Sequence, residues 1–175
     1  NYCEAVIDAH HKKQDRVLHP LVQLTLDAID RSGTGDTKFV PTSIEIEGLS
    51  SNRVRHLLNH LCSKEDNVYL ELGCYTGSTF FAAIMGNNIT AYGVDNFEKP
   101  ISPARDDIEW RGCENPSTKV LVNNLMYGNS DSIIYEMDVR KLTKDELSKK
   151  PNIIFYDAEH RSEEHTSELQ LRQYL

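Results

Sequence analysis

Val68-Tyr69-Leu70-Glu71-Leu72-Gly73-Cys74-Tyr75-Thr76-Gly77-Ser78-Thr79 is the stretch on which the fold of this chain turns. An apolar run ends in an acid, passes through a glycine-punctuated turn and enters a second apolar segment, Phe80-Phe81-Ala82-Ala83-Ile84-Met85. That order predicts a buried strand, a tight loop and a helix start. Backbone N–H groups and the helix dipole at such a junction favour an anionic ligand group. Gly73 and Gly77 let the chain turn sharply and leave room for a ligand to approach. Glu71, at the strand end, would receive a cationic group of the same ligand. A carboxylate and an ammonium side by side describe an amino acid, or a cofactor that ends in one.

Glu71-Leu72-Gly73 followed by Gly77-Ser78-Thr79 resembles motif I of class I S-adenosylmethionine-dependent methyltransferases. It is most similar to the variant in catechol O-methyltransferase-like enzymes and small O-methyltransferases, which lack the central glycine of Gly-x-Gly-x-Gly. Tyr75 stands where that glycine would be. The resemblance implies that Glu71, Gly73, Tyr75, Gly77 and Ser78 hold the methionine end of S-adenosyl-L-methionine. Competing nucleotide motifs fit less well. A Walker loop needs Gly-Lys-Ser/Thr, and Gly77-Ser78-Thr79 has no lysine; a dinucleotide fingerprint needs glycines at Tyr75 and Ser78.

Further strands are legible downstream. Ile89-Thr90-Ala91-Tyr92-Gly93-Val94-Asp95 ends in a carboxylate at the spacing of a ribose-binding acid, so Asp95 is the candidate ribose ligand. Ser132-Ile133-Ile134-Tyr135-Glu136-Met137-Asp138 again ends in an acid. The resemblance implies that Asp138 faces the adenine amino group. Asn152-Ile153-Ile154-Phe155-Tyr156-Asp157 runs into Ala158-Glu159-His160 and is similar to the family's fourth-strand motif. By that likeness Asp157 is a candidate catalytic residue and, in metal-dependent relatives, a ligand for Mg. Glu159 and His160 are carried over with it. His160 suits a base toward an acceptor hydroxyl, because an ordinary imidazole titrates at about 6.5.

The expected fold is α/β, a Rossmann-like class I methyltransferase parallel sheet with flanking helices, truncated after the fourth strand. The family's sheet is larger than the part legible before Leu175, and the metal-dependent Asp-Asn pair would lie beyond it. Residues 1–50 read as an N-terminal helical extension and 51–175 as a partial methyltransferase domain. Arg161-Ser162-Glu163-Glu164-His165-Thr166-Ser167-Glu168-Leu169-Gln170 resembles a translated sequencing adapter, so 161–170 is read as non-native. The alternative is an amphipathic helix packing Leu169, Leu171 and Leu175 on the sheet.

Elsewhere, Cys3 to Ile29 reads as helical, with Pro20 opening a second helix. Leu21, Val22, Thr25, Ala28 and Ile29 form a face that packs on the sheet or on a second copy of the chain. Arg31 to Asp36 reads as a breaker loop. Ser50 or Ser51 caps a helix with Val54, Leu57, Leu58 and Leu61 on its buried face. His56 and His60 then fall on its solvated face, without the Glu that a zinc-protease motif needs. Phe97 to Asn115 carries Trp110 and, with Arg105, Asp106 and Asp107, is a candidate acceptor loop. Val120, Leu121, Leu125 and Met126 mark a helix for which Gly128 is the expected cap. Thr143 and Glu146 have capping-box spacing.

Composition bounds the partners. A chain with 39% hydrophobic and 26% charged residues reads as one soluble domain without a membrane span. A formal charge of −8, with Lys12-Lys13 and Lys149-Lys150 only as pairs, argues against a nucleic-acid partner. Cys3, Cys62, Cys74 and Cys113 have no metal or redox spacing and read as reduced thiols, hence a cytoplasmic setting. The expected activity is methyl transfer to an oxygen or nitrogen of a small-molecule acceptor. The alternatives are an NAD-type oxidoreductase and a catalytically silent interaction domain on the same fold.

Overall fold

The computed structural model describes residues 19–43, 46, 48, 50–98 and 115–158. Four strands alternate with helices: β1 (Val68–Leu72), β2 (Thr90–Asp95), β3 (Ser132–Glu136) and β4 (Ile153–Tyr156). All pair in parallel in the order β3-β2-β1-β4. The expected α/β, Rossmann-like arrangement is therefore present. β1 and β2 are buried on both faces, as a central parallel strand requires. Tyr69 and Ala91 face one core with Phe80, Phe81, Ala83 and Val120. Leu70, Leu72, Tyr92 and Val94 face a second core with Leu142.

Helix α1 (Pro20–Thr34) opens on Pro20, and its first turn is capped by the His19 ring, which accepts from the Leu21 N–H at 3.3 Å. It runs through Gly33, where a loop was expected, and stops at Gly35 in the left-handed region at φ 75°. Its buried residues are Ala28 and Ser32, which pack toward α2 (Asn52–Leu61) and not toward the sheet. Leu21, Val22 and Ile29 consequently stay on the surface of the described residues.

Helix α2 is sandwiched between α1 and α3 (Ser78–Ile84), so it buries more than the one apolar stripe read from its sequence. Ser51 caps it through the Val54 N–H. His56 is not on a solvated face. It is buried against Phe39, edge to face with ring centroids 5.0 Å apart, and its Nδ1 is hydrogen-bonded to the Thr37 hydroxyl at 2.7 Å. Asn59 is also buried; it accepts from the Phe39 N–H at 3.1 Å and donates to the Ala82 and Met85 carbonyls at 2.8 and 2.9 Å. A polar side chain is tolerated there because its hydrogen-bonding groups find backbone partners.

Helix α4 (Pro116–Tyr127) buries only Val120, and Leu121, Leu125 and Met126 are exposed among the described residues. Gly128 is extended at φ −65°, ψ 156°, so it is not a left-handed cap. Its need is space: a Cβ would lie 2.4 Å from the Asn124 carbonyl oxygen and 2.7 Å from Ser132 Oγ. The Thr143–Glu146 capping box is present, with the Thr143 hydroxyl donating to the Glu146 carboxylate at 2.7 Å. Among the described residues no helix is long and apolar enough to cross a membrane.

Candidate functional site at the carboxyl edge

The parallel ladder carries on one residue past the strands. Gly73 donates to the Val94 carbonyl at 2.8 Å, Asp157 to that of Leu72 at 2.8 Å, and Met137 to that of Asp95 at 2.9 Å. Gly73 is thereby flanked by the ends of β2 and β4, and Asp95 and Asp157 sit at the same edge. Open α/β sheets bind ligands at this edge, where the strand order reverses from β2-β1 to β1-β4.

The loop from β1 to α3 owes its shape to three residues with positive φ: Gly73 at 91°, Tyr75 at 47° and Gly77 at 88°. Tyr75, in the place of a glycine in the commoner motif, thus adopts the left-handed conformation itself. That costs a side-chain-bearing residue about 1–2 kcal/mol. An offsetting bond is visible: the Tyr75 N–H donates to Asp95 Oδ2 at 2.7 Å. Asp95 Oδ1 accepts the Phe97 N–H at 2.7 Å. From the other side Asn123 on α4 donates to the Thr76 carbonyl at 2.8 Å. Gly77 closes a tight turn onto the Cys74 carbonyl at 2.7 Å.

The glycines do not leave open space for a ligand, as the sequence reading expected. A Cβ on Gly73 would meet Ala158 N at 2.6 Å and Asp157 C at 2.7 Å; one on Gly77 would meet the Phe81 ring at 2.1 Å. Their small size admits the protein's own chain, and their φ values set the loop.

Glu71 also departs from its expected role. Its side chain is fully buried on the α3 side of β1, so it does not reach out to a ligand cation. Tyr69 OH donates to Oε2 at 2.6 Å and Thr79 Oγ1 to Oε1 at 2.6 Å. Burial pushes its pKa up to about 8 against the opposing pull of the Thr79 and Tyr69 hydrogen bonds, with Asp157 and Asp95 pushing it further up. No cation is among its partners, so a raised pKa is the expected response. Ser78 is buried, and its hydroxyl accepts from the Arg55 guanidinium.

Asp138 is engaged by its own chain. It accepts from the Arg140 N–H at 2.9 Å and pairs with the Arg140 guanidinium at 2.6 Å, which holds its carboxyl down at about 2. A one-turn Asx cap competes with ligand binding for the same oxygens. Asp157 is exposed at the end of β4. His160, Glu159, the loop with Trp110, Arg105, Asp106 and Asp107, Cys3, Cys113 and the segment 161–170 lie outside the described residues. Among the described residues no group of three or more His, Cys, Asp or Glu is arranged for a metal ion.

Sequence reasoning missed Tyr69, Thr79, Asn123 and Arg55. Tyr69 was readable, because residues two apart on a strand share a face, which puts its hydroxyl beside Glu71. Cys74 is buried with its thiol pKa pushed well up by burial, which removes a nucleophilic role. A cavity of ≈ 420 Å³ lies at the opposite edge, where Asn87, Asn88, Gly128 and Asn129 precede β2 and β3, and no carboxylate, histidine, lysine or arginine lines it. No protein-family model, curated protein or solved structure matches the chain.

Proposed function

We propose that this chain carries the cofactor half of an S-adenosylmethionine-dependent methyltransferase acting on an oxygen or nitrogen of a small molecule. The observation that carries the reading is the Tyr75–Asp95 hydrogen bond, which gathers the motif loop and the β2 acid at one strand-end edge. Asp95 fits a ribose ligand by its donor chemistry. A carboxylate has about four acceptor sites, and the two backbone N–H groups use one on each oxygen. The remaining sites suit two neighbouring hydroxyls.

S-adenosylmethionine would supply a methyl group on a sulfonium centre. The chain's own task is then positioning, which is the larger part of the acceleration in a direct transfer. Asp95 would hold the ribose, and the 73–77 loop the amino-acid end. Asp157, exposed beside Gly73, would orient the acceptor, with His160 as the base that takes its proton. Glu71 acts through the scaffold, joining β1 to α3.

Calorimetric titration with S-adenosylhomocysteine and, separately, NAD tests the reading. Saturable binding of S-adenosylhomocysteine with no NAD heat is the expected result. Binding of NAD alone would overturn it in favour of an oxidoreductase. Binding of neither would favour the catalytically silent domain. A panel of hydroxyl and amine acceptors with methyl-labelled cofactor then reads the transfer itself.

A further inference from the structure

Arg55 sits on α2 with its guanidinium turned toward the start of α3. Nη2 donates to Ser78 Oγ, and Nη1 to Asn52 Oδ1 at 3.4 Å. Nε is buried with no partner. Both recorded partners are neutral. The ion pairs among the described residues are Arg31–Asp36 and Arg140–Asp138, and Arg55 is in neither. Burial lowers its pKa below the ordinary arginine value, with no carboxylate among the described residues opposing that shift. Gly48 lies against the same point: a Cβ there would be 2.4 Å from Ser78 Oγ and 3.4 Å from Arg55 Nη2. A partly buried guanidinium without a counter-charge is unfavourable, and a planar fork matches a carboxylate in two places. Ser78 directly follows Gly77, so the cation stands at the end of the motif loop.

We propose that Arg55 is the carboxylate-binding residue of this site, receiving the amino-acid end of the adenosyl cofactor. The assignment rests on the methyltransferase reading and adds a residue that motif I does not contain. It also replaces the zwitterion arrangement first read from Glu71: recognition falls to a cation on α2, with the carboxylate as the group recognised.

The test compares S-adenosylhomocysteine with S-adenosyl-thiopropylamine, which is the same molecule without its carboxylate, by calorimetry on the wild type, Arg55→Gln and Arg55→Lys. Wild type is expected to prefer S-adenosylhomocysteine by about 10- to 100-fold, the worth of a charge-assisted pair. Arg55→Gln should lose that preference while binding the thiopropylamine as wild type does. Arg55→Lys should regain part of it, since the charge stays and the fork goes. Equal affinity of wild type for the two ligands overturns the assignment, and needs no variant to fold. A preference unchanged in Arg55→Gln overturns it also. If a carboxylate of the chain itself were the true partner, Arg55→Gln would lower the melting temperature and leave the ratio untouched, which again overturns it. Wild type that binds neither ligand overturns this assignment and the methyltransferase reading together, whereas the other outcomes leave that reading intact.

Discussion

Tyr75 and Asp95 are twenty residues apart, yet the N–H of one donates to the carboxylate of the other at 2.7 Å. The bond joins two strand ends and fixes a tyrosine at φ 47°. Asp95 therefore has two jobs, loop staple and proposed ribose ligand, and they separate under substitution. Asp95→Ala removes both, and should weaken S-adenosylhomocysteine binding by about 1.5–3 kcal/mol and stability by about 1–2 kcal/mol. Asp95→Asn keeps one acceptor oxygen for a backbone N–H, so it should recover much of the stability and little of the affinity. Calorimetry paired with urea unfolding distinguishes them. Equal affinity in all three proteins would leave Asp95 with the staple alone.

Gly73 and Gly77 test the loop from the side of the fold. Alanine at Gly73 combines φ 91° with a Cβ 2.6 Å from the Ala158 backbone; at Gly77 it combines φ 88° with a Cβ 2.1 Å from a fully buried Phe81 ring. Strain of about 1–3 kcal/mol adds to overpacking of similar size, so each change should cost at least about 2 kcal/mol. The loss should appear in urea midpoints without any ligand present. Melting curves matching wild type would show that the loop relaxes, and that the glycines are there for an incoming ligand after all.

Glu71 predicts an unusual pH dependence. Its folded pKa, about 8, lies above the ordinary 4.5. The folded state therefore binds more protons than the unfolded state between those values. Its contribution is fully present below about pH 4.5 and is lost as pH rises through about 8. Glu71→Gln keeps a neutral side chain that can accept from Tyr69 or Thr79, so it should flatten this slope. Relative to wild type the variant should gain stability toward pH 9 and gain little near pH 5, by on the order of a few kcal/mol over the range. Parallel pH profiles of the two proteins would rule out a titrating Glu71.

The strands were legible because each is a short apolar run closed by a polar residue, and Asp95 because it ends one of them. What escaped the sequence was the direction of side chains at the ends. Glu71 alternates to the α3 face, and one residue of displacement decides between ligand and core. Asp138 met a local competitor, Arg140, two residues away. His56 was misread because a helix between two others buries two faces, and only tertiary packing reveals that. Arg55 left no signal at all: its meaning comes from Ser78, far along the chain.

Asp138 supplies the sharpest check on the corrected site. Its carboxyl is held at about 2 chiefly by the Arg140 hydrogen bond, so its contribution is present above the ordinary value of 3.8 and is lost as pH falls through about 2. The Arg140 side chain is 65% exposed and that of Asp138 20%, so solvent screens the pair and the loss should stay below about 1 kcal/mol. If the turn at 138–141 is the whole role of this residue, Asp138→Ala should leave S-adenosylhomocysteine affinity unchanged within error. It should also lower the urea midpoint slightly at pH 7 and not at all near pH 2. Arg140→Ala should reproduce only part of that stability loss, because the backbone N–H of residue 140 keeps its bond to Asp138, and the double variant should lose no more than Asp138→Ala alone. A tenfold loss of affinity in Asp138→Ala with no loss in Arg140→Ala would restore the adenine contact that the family resemblance implied. In that case ligand binding would have to take the carboxylate from its arginine, and the affinity of the Arg140 variant should rise.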